Sequence, residues 1–149
     1  MTLYEKDFYK WTENQACILK EHDFEHMDLE NLIEEILDLG NSHKSALENQ
    51  LTRIIAHMLK TKYQPNKFSN SWRNSIRDGR RIVNIILRNS PSLKQLTNDY
   101  IEDCYSSSVD WASDETEIPK KAFPKECPWS CKEILDLPIE EIMKDFMKH

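Results

Sequence analysis

Apolar positions recur along the chain at helical spacing and nowhere alternate as a strand would. Thr2-Leu3-Tyr4-Glu5 has the form of a capping box, and Tyr4, Phe8, Trp11, Ile18 and Leu19 follow on one face, predicting a first helix to about Glu21. Asp28 is placed to cap a second, short helix whose stripe is Leu29, Leu32, Ile33, Ile36 and Leu37. Gly40 and Asn41, which tolerate the left-handed conformation, predict its end. Ser42 or Ser45 opens a third helix with the seam Leu47, Leu51, Ile54, Ile55, Met58 and Leu59, stopping before Pro65. A fourth helix is expected from Trp72 to Asn89, and a fifth after Pro91 with Leu93, Leu96, Tyr100, Cys104 and Trp111 inward. From Glu115 onward, prolines at 119, 124, 128 and 138 break the chain into short pieces, with a capping box at Ser130 to Glu133 and a last helix over Ile139 to Met147. The pattern predicts an all-α fold: a single helical bundle of about five main helices with an irregular, Pro-rich C-terminal wrap over residues 115–149.

Composition narrows the function classes. A chain of 149 residues is the length of one domain. Its only glycines, Gly40 and Gly79, are too few for tight hairpins or a phosphate-cradling loop. No apolar run approaches the roughly 18 residues of a membrane span, and the start lacks the pattern of a secretory signal, so a cytoplasmic protein is expected with no membrane partner. Cys127 and Cys131 are spaced like half a zinc site, but no second ligand pair is evident, and the four cysteines are expected to be thiols. The net charge of −6 is unevenly spread. Residues 1–40 hold three Lys or Arg against eleven Asp or Glu, residues 41–100 hold eleven against three, and residues 101–149 hold six against twelve. A basic centre of this kind suits a phosphate-bearing partner or a neighbouring acidic segment.

Three polar constellations stand out. Arg53, His57, Lys60 and Gln64 lie nearly opposite the apolar seam of the third helix, where a solvated face is expected. Glu34, Glu35 and Asp38 crowd three carboxylates onto one helix face, an arrangement that magnesium or manganese relieves. Arg73, Arg77, Arg80, Arg81 and Arg88 fall along one side of the fourth helix, where Asp78 is the only acid. Arginine's planar fork matches phosphate oxygens, and the alternative is pairing with the chain's own acidic segments.

The stretch "DLENLIEEILDLGNSHKSALENQLTRIIAHMLKTKYQP", followed by "SWRNSI", "SPSL" and "FPKECPW", resembles an uncharacterised, largely cyanobacterial family known as domain of unknown function twenty-nine. The likeness runs from "LYEKDFYKW" to the Cys127-Pro128-Trp129 segment. It implies an all-helical fold and marks Glu34, Glu35, Asp38, His57, Lys60, Gln64, Pro65, Ser71 and Trp72 as matching positions, without implying an activity. A row "H-x-x-K-x-x-x-Q-P" that recurs as a motif favours a site or a buried polar network over an ordinary wet surface.

Together these features point to a small metal-dependent nuclease or other nucleic-acid-processing protein. Glu34, Glu35 and Asp38 would hold the cation; His57, Lys60 and Glu35 would act on the phosphodiester; Arg53, Gln64, Ser71, Trp72, Arg73, Arg77, Arg80 and Arg81 would hold the strand. Two other enzyme readings are open. Glu34-Glu35-x-x-Asp38 looks like half of the metal motif of MazG-type nucleotide pyrophosphohydrolases, with Asp99, Glu102 and Asp103 a poor second half. Arg53 and His57 approximate, one residue short, the R-x-x-x-x-H signature of HEPN ribonucleases. The non-enzymatic alternative is a nucleic-acid or protein binding module of a toxin–antitoxin or mobile-element type, as a homodimer or with a partner protein.

Overall fold

The structure, a computed structural model, describes residues 1–147; the last two residues of the expected C-terminal wrap lie outside it. The described residues form seven α-helices and two 3₁₀ turns and no strand, as the periodicity predicts. The chain divides into two compact units, residues 1–42 and the remainder from His43.

In the first unit the expected opening helix is two. Thr2 caps α1 (Leu3–Lys6) and Asp7 breaks it, its carboxylate instead accepting from Lys10 N at 3.1 Å to start α2 (Phe8–Lys20). A short acid that caps a new helix is stabilised more by doing so than by sitting inside an old one. His22 in the left-handed region (φ 59°) then turns the chain. Trp11 is the one buried apolar side chain here; its indole donates to Asp28 Oδ2 at 3.0 Å, and Gln15 Oε1 accepts from Asp28 N at 2.8 Å. Tyr4 and Phe8 pack on Trp11 with ring centroids 4.8 and 5.7 Å away.

The two helices expected over residues 28–40 and 42–63 are one, α3 (Leu29–Tyr63). Gly40 does not cap anything: its φ is negative and no atom lies within 4 Å of where its Cβ would be. One glycine weakens a helix by only about 1 kcal/mol, too little to end one of this length.

In the second unit the later part of α3 is the central element. α4 (Asn70–Asn89), capped by Ser69, packs on it so closely that a Cβ on Gly79 would lie 2.7 Å from Ile54 Cγ1. α5 (Ser92–Thr116) lays Cys104, Ser108 and Ala112 along α3, with Ser108 Oγ 3.0 Å from Thr52 O. The C-terminal segment is core rather than wrapping. After a 3₁₀ turn at Lys120–Ala122, Phe123, Trp129, Ile134, Ile139 and Ile142 all enter the same cluster as Leu51, Ile54 and Met58. The expected capping box at Ser130 and Glu133 starts α6 (Cys131–Asp136), and α7 (Ile139–Met147) follows. Among the described residues no helix is long and apolar enough to cross a membrane.

The two glycines are expected to respond to substitution with opposite signs. Gly79→Ala overpacks the α3–α4 contact and lowers stability by about 1–3 kcal/mol, whereas Gly40→Ala raises it by about 0.5–1 kcal/mol. Urea melts of the two variants read both effects.

Candidate functional site

The row of Arg53, His57, Lys60 and Gln64 does not form a wet face. Every residue from Ile54 to Thr61 is buried, so α3 is enclosed on all sides there, and His57 and Lys60 retain only 7% and 4% exposure. Their neighbours are the first turns of α4 and the last turns of α5.

His57 Nδ1 is 2.8 Å from the Arg53 carbonyl oxygen. A carbonyl only accepts, so Nδ1 carries the proton and Nε2 of the neutral ring keeps its lone pair. The ring meets Trp111 edge to face, with centroids 5.5 Å apart. Burial pushes the His57 pKa below its ordinary value; the bond to Arg53 O opposes this and the nearby Lys60 charge adds to it. The imidazole is therefore neutral at pH 7.

Lys60 Nζ, on a side chain 6% exposed, is ion-paired with the half-exposed Glu115 and sits 4.6 Å from the centroid of the Trp72 ring. Partial burial alone would raise the Glu115 pKa, but donation from Lys60 and from the Trp111 indole, with the positive charge of Lys60, outweighs it and the net shift is downward. Gln64 Nε2 donates to Thr116 O at 3.2 Å, and Arg53 Nη2 to Ser75 Oγ at 3.4 Å. Helices α3, α4 and α5 thus share one polar network in which a neutral base and a carboxylate meet the Trp111 indole and the cation meets that of Trp72.

Two members, Trp111 and Glu115, were not among the site residues expected from the sequence, where Trp111 is read only as an inward-facing position of the fifth helix. Their i, i+4 spacing was available as a signal, but nothing in it says that their common partner is Lys60. Conversely, the carboxylate that meets Lys60 is Glu115 and not one of the acids at 34–38. Glu35 Oε1 accepts a hydrogen bond from Tyr4 at 2.5 Å. This bond, together with partial burial and the charges of Glu35, Glu34 and Asp38, pushes the Tyr4 hydroxyl up to about 12. Among the described residues no group of three or more His, Cys, Asp or Glu is arranged to hold a metal ion. That holds for Glu34, Glu35 and Asp38, and for Asp99, Glu102 and Asp103.

The arginine ridge is divided. Arg80 is not a free phosphate ligand: it donates to Ile134 O at 2.8 Å and Leu137 O at 2.9 Å, satisfying the carbonyls that end α6. Arg73 lies 3.7 Å from Glu140 and against the Phe68 ring, and Arg77 lies 3.6 Å from Asp78; both ion pairs are long and exposed. Arg81 and Ser71 are exposed on α4.

An all-α protein with a buried His–Lys–Glu network joining three helices is the class that fold and site define. Residues 3–138 match the family model described as Domain of unknown function DUF29, and the chain belongs to that family. No curated protein and no solved structure matches the chain.

The two shifted groups give stability a pH dependence of fixed sign. Both have folded pKa values below their ordinary ones, so the unfolded chain binds more protons on acidification. Stability is complete above about pH 6.5, the ordinary value for His57. It declines first as His57 is forced to protonate, and again below about 4.5, the ordinary value for Glu115. Melting temperatures across pH 4–8 are expected to lose the upper step in His57→Gln and the lower step in Glu115→Gln.

Proposed function

We propose that this protein acts on nucleic acid in the cytoplasm as a small phosphodiester-cleaving enzyme, with His57 as the proton-moving group. The observation that carries the reading is the neutral imidazole with an unprotonated Nε2, held edge-to-face with Trp111 and near the Lys60 cation, which itself lies over Trp72. A base that stays neutral at pH 7 accepts a hydroxyl or water proton, and a nearby ammonium offsets the charge that develops on phosphorus oxygens. Glu115 holds Lys60 in place. The partly exposed indole of Trp72 offers a stacking edge to an unpaired base, and Arg53, Arg73, Arg77 and Arg81 supply cations for the backbone. The proton transfer assigned to His57 needs no metal. Among the described residues Glu34, Glu35 and Asp38 form no metal-holding group, and the chelator arm measures whether cleavage needs magnesium or manganese.

The test incubates labelled single-stranded RNA, single-stranded DNA and duplex with the protein in magnesium, manganese or chelator. Cleavage of single strands is expected to fall by about 10²–10⁴ in His57→Ala, with the helical circular dichroism retained at the assay temperature. Its rate is expected to stay flat as pH drops through 6.5, because the folded His57 titrates lower. Salt-sensitive binding with no cleavage under any condition would sink the enzyme reading.

A second reading is favoured by residues 1–42. Phe24, Ile33, Ile36, Leu37 and Leu39 are all more than half exposed or at half on a strongly acidic segment, the character of a surface that binds a partner protein with a basic, apolar face. A binding module of toxin–antitoxin type would use this surface and keep the His57 network as structure.

A further inference from the structure

A cleft of about 880 Å³ opens in the second unit between the end of α4, the start of α5 and α6. It shares no residue with the His57 network. Three cations reach its walls: Arg88 from the last turn of α4, Lys94 from the first turn of α5 and Lys132 from the first turn of α6. Among the described residues none of the three has a carboxylate within ion-pair distance, although the chain carries a net charge of −6.

Helix dipoles account for one of these placements and oppose the other two. A cation at the C-terminal end of a helix, such as Arg88, is stabilised there, whereas Lys94 and Lys132 each sit at a helix start, where an acid is preferred. Two unfavourable placements converging with a third cation on one cleft leave it with a surplus of positive charge. Asp136 is the one carboxylate in the lining, so three cations against one anion leave a local charge of +2. A phosphomonoester at neutral pH carries about −1.5 to −2.

The rest of the lining fits what a phosphate would be attached to. Leu87 and Leu135 give an apolar wall, and the amides of Asn84 and Asn98 offer paired donors and acceptors. Apolar walls with a few convergent polar groups, in a cavity of roughly 300–1,000 Å³, describe a small-molecule site. We propose that this cleft binds a mononucleotide, with Arg88, Lys94 and Lys132 on the phosphate, the leucines against the base and the asparagines at its polar edge. A nucleotide here would be a second ligand of the protein, distinct from any strand held at His57.

Calorimetric titration of the full chain with adenosine and uridine 5′-monophosphates, the parent nucleosides and inorganic phosphate tests the proposal. At least one monophosphate is expected to bind saturably at one site, about tenfold or more tighter than its nucleoside and than phosphate. Lys132→Ala and Arg88→Ala are each expected to weaken it about tenfold while leaving the thermal midpoint of the unliganded protein in place. Absence of binding, equal affinity for bare phosphate, equal affinity for the nucleoside, or binding untouched by both substitutions would each overturn the assignment.

Discussion

A lysine inside a helical bundle sets the terms for the elements around it. From Ile54 to Thr61 every residue of α3 is buried, so the Lys60 ammonium is largely withdrawn from bulk water. A buried ammonium is tolerable only with a carboxylate and further electrostatic support at close range, because the effective desolvation penalty is still several kcal/mol. Glu115 supplies the charge and the face of Trp72 supplies the rest. Glu115 stands in the last turn of α5 and Trp72 in the first turn of α4, so satisfying one side chain fixes where α5 ends and where α4 begins relative to α3. Gln64 repeats the constraint one turn on by donating to Thr116 O. The same enclosure makes His57 a neutral base, so the feature that constrains the packing also sets the protonation state of the imidazole.

The seam of Leu47, Leu51, Ile54, Ile55, Met58 and Leu59 was legible because core-facing positions on one helix need only the helical period to be found. The burial of His57 and Lys60 was not. Helical geometry says which side of α3 is apolar, but how many neighbours surround it depends on chain far away in sequence. Here Ser108 and Ala112 let α5 approach, and the Pro-rich tail brings Phe123 and Trp129 into the core. A tail rich in proline reads as a surface wrap because proline interrupts helices. Here the breaks aim short helices inward, and Arg80 completes one of them by donating to its terminal carbonyls. Position on the helix placed the motif row on a solvated face, and its partners Trp111 and Glu115 had no local signature that linked them to it.

Charge was easier to count than to assign. Five arginines on one helix read as a phosphate-binding ridge, yet they do different things. Arg80 is consumed by the backbone of the α6 end. Arg73 and Arg77 meet acids at distances that in solvent contribute little. Arg81 is exposed, and Arg88 turns to a cleft with two lysines. A basic helix therefore has to be divided residue by residue before its charge says anything about a ligand.

Exposure is divided just as unevenly. Of the twelve large hydrophobic side chains exposed among the described residues, ten lie within the first 42, a segment that buries only Trp11 among its apolar side chains. At about 25 cal/mol per Å², so little burial gives this unit a small hydrophobic contribution of its own. Its order rests on specific links instead: Asp28 receiving Trp11 and Asn31, Gln15 receiving the Asp28 amide, and Tyr4 reaching Glu35. Eleven acids against three bases in residues 1–40 would set two such surfaces against each other if they paired face to face. Like charge around an apolar stripe disfavours that face-to-face pairing. The first unit is thus an acidic surface with exposed apolar side chains held by a few polar links, while the second unit carries its own hydrophobic core and the polar network around His57.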